Sequence, residues 1–65
     1  MILNGKDREI YNKLLSDLEN LDTKISKQQV LKNFDFIYSK WFSSQANINE
    51  IRNDFSDKID LFKSR

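Results

Sequence analysis

The stretch ISKQQV, residues 25–30, has the pattern of a helix start and divides the chain into helical segments. Ser26 is a favoured N-cap residue, and Gln29 stands three positions later, as in a capping box. Ile25 and Val30 flank this pair at the positions of a hydrophobic staple, which fixes the angle at which a chain joins its helix. We therefore expect one helix to end before this stretch and a second to begin within it.

Apolar side chains ahead of this start recur at helical spacing. They are Tyr11, Leu14, Leu18, Leu21 and Ile25, with Ile10 and Leu15 at the edges of the stripe. The spacing predicts an amphipathic helix over residues 6–20. Because only a short link that contains Asn20, Asp22 and Thr23 separates it from the next helix, the two helices should pack antiparallel.

The second helix is predicted over residues 27–42. Its apolar side chains fall within an arc of about 140° on the helical wheel. They are Val30, Leu31, Phe34, Ile37, Tyr38, Trp41 and Phe42. We expect this arc to form the thickest part of the core, with Tyr38 and Trp41 packed inside it.

A third helix is predicted over residues 48–63. Asn47 and Glu50 resemble a second capping box at its start. Its apolar stripe consists of Ile48, Ile51, Phe55, Ile59 and Phe62. Leu61 falls about 140° from the centre of this stripe, so we expect its side chain to face outward.

Three inward-facing stripes predict an all-α protein, a small three-helix bundle that forms a single domain over residues 1–65. Residues 43–47 contain no glycine or proline that would force a break. If this link is helical, the alternative is a helical hairpin with one long arm, which dimerises into a four-helix bundle.

Composition limits the function classes. The 65 residues include no cysteine and no histidine, so we expect no disulfide, no metal site, no cofactor and no enzymatic activity. Asp54, Asp57 and Asp60 recur every three residues, but such spacing drifts around a helix and favours a solvated acidic face over a cation site. No apolar run reaches the roughly 20 residues that span a bilayer, so we expect a cytoplasmic protein without membrane contact.

The size of the chain favours association. A domain this small buries only about 60% of the surface that its unfolded chain exposes, and natural chains of this size often need a further source of stability. With disulfides and zinc excluded, a partner protein or a homodimer remains.

Phe36 departs from the pattern of the second helix. It lies about 165° from the centre of the apolar arc, so its ring should face outward. Lys32 and Lys40 stand four residues on either side, and Gln29 and Asn33 border the same strip. We interpret these five residues as a partner-binding ridge, because an exposed aromatic ring beside lysine stems can anchor a protein contact. Alternatively, Ile2 and Leu3, or a second subunit, cover the ring.

The leading hypothesis is therefore a non-catalytic protein-interaction module, a small regulator or inhibitor that docks on a partner protein through the outer face of the second helix. The first alternative is nucleic-acid binding, because residues 23–42 carry four lysines and one aspartate. Its candidate contacts within residues 24–40 are Lys27, Gln28, Lys32 and Lys40. The second alternative is a structural protein that forms homo-oligomers.

Overall fold

A computed structural model describes residues 3–22 and 24–64. These form three α-helices, α1 (Gly5–Glu19), α2 (Lys27–Phe36) and α3 (Ile48–Lys63). Two short 3-10 helices, Tyr38–Trp41 and Gln45–Asn47, lie between α2 and α3. The predicted all-α three-helix bundle is confirmed, and the hairpin with one long helical arm is wrong.

Side-chain pairs at both ends of α2 show how it lies against α3. Near the start of α2, the Lys27 ammonium is 2.9 Å from a carboxylate oxygen of Asp60, close to the end of α3. Near the end of α2, a carboxylate oxygen of Asp35 lies 2.9 Å from the guanidinium of Arg52, close to the start of α3. The two helices are therefore antiparallel.

α1 runs parallel to α3. Tyr11, in the first half of α1, packs edge-on against Phe55 with ring centroids 6.4 Å apart. Further along, Leu18 and Phe62 line the same surface groove. The helices therefore run up, down and up, as the short link before α2 predicts.

All three helices contribute to one core. Phe34 is completely buried at its centre and stacks on Phe55, with ring centroids 5.4 Å apart. The ring of Phe42 lies 6.2 Å from that of Phe34. The buried apolar residues are Tyr11, Leu14, Leu18, Val30, Phe34, Phe42, Ile51, Phe55 and Ile59.

The predicted helix start at Ser26 is present. The Ser26 hydroxyl oxygen accepts the backbone N–H of Gln29 at 3.2 Å, which satisfies one of the donors that a helix leaves unpaired at its N-terminus. The side-chain amide of Gln29 donates forward to Asn33 at 3.3 Å. Ile25 is half-buried against the core cluster that contains Val30.

The predicted capping box of α3 is wrong. Asn47 makes no side-chain capping hydrogen bond, and its φ of −102° and ψ of 8° differ from the extended conformation of a capping residue. Instead, the 3-10 helix Gln45–Asn47 leads directly into α3, with the Asn47 N–H donating to the Ser44 carbonyl at 3.0 Å.

The predicted end of α2 is also wrong, since the helix stops at Phe36 and not at residue 42. The chain tightens into a 3-10 helix at Tyr38–Trp41, where the Ser39 hydroxyl donates to the Asp35 carbonyl at 2.7 Å. The side-chain amide of Gln45 donates to the carbonyls of Ser39 and Phe42. These side chains donate hydrogen bonds to carbonyl groups that would accept backbone N–H groups if the α-helix continued.

The early end of α2 changes which side chains are buried. The α-helical wheel no longer applies after Phe36, so Ile37 and Trp41, both predicted inside, are exposed. Tyr38 is half-buried and Phe42 is fully buried. Leu3 is half-buried against the core. Ile2 and Thr23, which the sequence places near Phe36 and in the link before α2, lie outside the described residues.

Candidate protein-docking surface

The outer face of α2 presents Phe36, the last residue of the helix. Its side chain is 64% exposed, as the helical wheel predicts. Lys32, one turn earlier, is exposed, and so are Gln29 and Asn33, which are joined by a side-chain hydrogen bond. Four of the five residues of the predicted ridge therefore share one face of α2.

Lys40 does not continue this ridge. Residues four apart lie one above the other only in an α-helix, and Lys40 belongs to the 3-10 helix that follows α2. Its side chain is exposed, but the predicted unbroken lysine–phenylalanine–lysine ridge is wrong.

Exposed apolar side chains are concentrated just after α2. Ile37 is 49% exposed and Trp41 is 42% exposed, within five residues of Phe36. The rings of Tyr38 and Trp41 meet edge-on with centroids 5.0 Å apart. Since a 3-10 helix rises about 2 Å per residue, this segment is short in space as well as in sequence. We call Phe36, Ile37 and Trp41 the 36–41 surface.

α1 contributes a positive charge to this surface. The ammonium nitrogen of Lys13 lies 5.5 Å from the Trp41 ring centroid, a distance at which a cation and an aromatic ring attract each other. This contact places Trp41 beside α1, and much of the residue stays exposed.

A buried carboxylate holds the chain directly after the 36–41 surface. Asp7, in the first turn of α1, is fully buried and accepts the Ser43 N–H at 2.9 Å and the Ser44 N–H at 3.2 Å. The Ser43 hydroxyl donates to the same carboxylate at 3.0 Å. These hydrogen bonds, led by that from the Ser43 backbone, lower the pKa of Asp7 despite the opposing effect of burial.

The side chain of Asn4 contacts both residues of the Asp7–Ser43 hydrogen bond. Its oxygen accepts the Asp7 N–H at 2.8 Å, which caps α1, and its amide nitrogen donates to the Ser43 hydroxyl at 3.0 Å. With Phe42 buried beside Phe34, the chain on the C-terminal side of the 36–41 surface is firmly attached to the bundle. Sequence reasoning missed these contacts, because an aspartate in the first turn of a helix is common and does not by itself indicate burial.

The acidic series of α3 has structural contacts. The buried Tyr11 hydroxyl donates to Asp54, and both burial and this hydrogen bond raise the pKa of the phenol. Asp60 forms the ion pair with Lys27. The expectation of a solvated acidic face is therefore wrong for half-buried Asp54, whereas Asp57 and Asp60 are exposed. Among residues 3–22 and 24–64, no group of three potential metal-ligating side chains occurs.

The residues proposed to contact nucleic acid do not all lie on the same surface. Gln28 and Lys32 are exposed on α2, and Lys40 is exposed beyond its end. Lys27 instead lies against α3, where Asp60 neutralises its charge. The four side chains do not form one continuous basic strip.

Leu61 is 60% exposed, as predicted, and lies on a different surface from Phe36. Phe36 lies near Arg52 of α3, because its neighbour Asp35 pairs with Arg52. Leu61 is nine residues beyond Arg52, or about 13 Å along the helix at 1.5 Å per residue. Leu61 borders an open groove of about 250 Å³ between α1 and α3. The groove is lined by Leu15, Leu18, Glu19, Lys58, Leu61 and Phe62.

Within the described part of the chain, no helix combines the length and apolar character needed to cross a membrane. No protein-family model, curated protein or solved structure matches the chain.

Proposed function

We propose that this chain is a non-catalytic protein-interaction module, a small regulator or inhibitor that docks on a partner protein through the outer face of α2 and the 36–41 surface. The observation that carries the proposal is the 64% exposure of Phe36 at the end of a well-anchored helix. Burying a large apolar side chain contributes about 1.5–3 kcal/mol. A partner that covers Phe36 would gain this free energy.

The neighbouring side chains support the same function. Ile37 and Trp41 are exposed close to Phe36, and aromatic anchors of this kind contribute much of the binding energy at protein interfaces. Because Asp7 and Phe42 hold the following chain in place, the surface would lose little conformational entropy on binding.

The buried ionisable groups favour a structural role over a catalytic one. The Asp7 carboxylate is directed at Ser43 and Ser44, and the Tyr11 hydroxyl is directed at Asp54. Each of these contacts joins two separate parts of the chain. Such groups stabilise the bundle on which the docking surface is carried.

Co-purification from the native host tests this proposal. The tagged chain, a Phe36→Glu variant and a Leu61→Glu variant are purified with nuclease, and the proteins that accompany them are quantified by mass spectrometry. Leu61 is a matched control, because it has similar exposure and also lies in the last turn of a helix. We expect a stoichiometric protein that the wild type and Leu61→Glu retain and Phe36→Glu loses.

Equal retention by Phe36→Glu would contradict docking through this surface. A companion that nuclease removes would instead favour nucleic-acid binding, the alternative supported by the exposure of Gln28, Lys32 and Lys40. In that case, replacing the exposed Lys32 and Lys40 by Gln should weaken binding and reduce its dependence on salt.

Homodimerisation through the same surface is the remaining alternative. It predicts that the mass measured by light scattering rises with concentration for the wild type and not for Phe36→Glu. A monomer at every concentration would exclude it.

A further inference from the structure

The charges that residues 23–42 bring to the 36–41 surface are predominantly positive. Asp35 is the only acidic residue within residues 23–42. Both of its carboxylate oxygens accept hydrogen bonds from the Arg52 guanidinium, at 2.9 and 3.3 Å, so that its charge is neutralised on the side of α3. Lys32, one turn before Phe36, and Lys40, in the following 3-10 helix, are both exposed.

α1 adds no net positive charge to this region. Lys13 lies against the Trp41 ring, but Glu9 and Asp17 stand four residues on either side of it and are exposed. Side chains four apart on a helix are neighbours, so these two carboxylates outweigh the single Lys13 ammonium. The charge complementarity of the surface therefore depends mainly on Lys32 and Lys40.

We infer that the 36–41 surface binds an acidic segment of the partner protein, whose apolar side chains cover Phe36, Ile37 and Trp41 while its carboxylates approach Lys32 and Lys40. This inference rests on the proposed docking function and specifies the chemistry of the partner. An acidic protein segment fits better than nucleic acid, because three exposed apolar side chains match those of a protein partner, whereas most protein–DNA contacts go to phosphates and sugars. Residues 23–42 also contain no arginine for bidentate contacts with base edges.

A peptide-display selection tests the inference. Random linear peptides are selected on the full-length chain and counter-selected on a Phe36→Gln variant, which changes no charge. The peptides recovered are synthesised, and their binding is measured by fluorescence anisotropy. We expect sequences that combine Asp or Glu with aromatic or large aliphatic residues, and at least about tenfold weaker binding to Phe36→Gln.

Charge reversal isolates the electrostatic contribution. A Lys32→Glu/Lys40→Glu double variant should bind these peptides at least about tenfold more weakly. A Lys24→Glu/Lys58→Glu variant has the same net charge but leaves the surface intact, so it should bind like the wild type. Circular dichroism checks that each variant remains folded.

The outcomes separate this inference from the proposed function. Neutral or basic peptides that depend on Phe36 would overturn the acidic partner and leave docking through the surface standing. Equal weakening by the two charge variants would also overturn it, because only the net charge would then matter. If no peptide depends on Phe36, or if a labelled DNA duplex binds in a Phe36-dependent manner and more tightly than any peptide, the inference is wrong.

Discussion

The Asp7 carboxylate accepts the backbone N–H of Ser43 at 2.9 Å, although 36 positions separate the two residues. The same carboxylate accepts the Ser44 N–H at 3.2 Å. These bonds attach the link between α2 and α3 to the first turn of α1. They therefore determine where the chain returns to the bundle after the 36–41 surface, and so how that surface is presented.

Replacing Asp7 by Asn should loosen this link. The amide offers one acceptor oxygen in place of two, and its NH₂ group meets the Ser43 and Ser44 donors unfavourably. We expect faster hydrogen exchange at the Ser43 and Ser44 amides and a change in the fluorescence of Trp41, the only tryptophan of the chain. Unchanged exchange at both amides would show that Asp7 does not hold the link.

Acid should weaken the same contact. The pKa of Asp7 is lower in the folded chain than its ordinary value near 3.8. Its ionised form therefore stabilises the fold above this value, and the stabilisation is lost as the pH falls through the folded pKa. We expect the melting temperature to fall more steeply below about pH 4 for the wild type than for Asp7→Asn. Parallel curves for the two proteins would contradict this role.

Alkaline pH should act through Tyr11. Burial and the hydrogen bond to Asp54 raise the pKa of the phenol above its ordinary value of 10.0. The neutral phenol therefore stabilises the folded chain below pH 10, and this stabilisation is lost as the pH rises through the folded pKa. Urea unfolding of the wild type and of Tyr11→Phe between pH 8 and pH 11 measures the effect. The wild type should lose more stability over this range; an equal loss in Tyr11→Phe would assign the effect to other groups.

Truncation of the two phenylalanines of α2 should change the free energy of unfolding by very different amounts. Phe34 is fully buried, so Phe34→Ala should cost about 3–5 kcal/mol of unfolding free energy, enough to unfold a small domain. Phe36→Ala should change stability by no more than about 0.5 kcal/mol, as at most exposed positions. Thermal melts followed by circular dichroism compare the two. A large destabilisation by Phe36→Ala would mean that this ring supports the fold.

Local sequence patterns predicted the helices well and the link between α2 and α3 poorly. The hydroxyl of Ser26 caps α2 as its neighbours in sequence indicate, and Phe36 faces outward because it still belongs to that helix. The helical wheel places Ile37 and Trp41 in the core only when it is extended beyond the true end of α2. The same extension places Lys40 on the ridge, although it belongs to the 3-10 helix.

The missing information was not local. α2 ends at Phe36, and the chain that follows is held by the Gln45 amide, which donates to the carbonyls of Ser39 and Phe42, and by Asp7, which accepts the Ser43 N–H. The partner of that last contact lies in another helix, and nothing in the sequence around residue 43 points to it. Local periodicity therefore located the outer face of α2 but not the exposed segment that follows it.

Site-specific photocrosslinking tests the central claim most directly. A benzophenone amino acid replaces Phe36, which preserves an aromatic side chain at the surface, and in a second protein it replaces Leu61. Both proteins are expressed in the native host and irradiated, and crosslinked products are identified by mass spectrometry. The account predicts one protein partner joined at position 36 and absent at position 61. Equal crosslinking at both positions, or none at position 36, would contradict it.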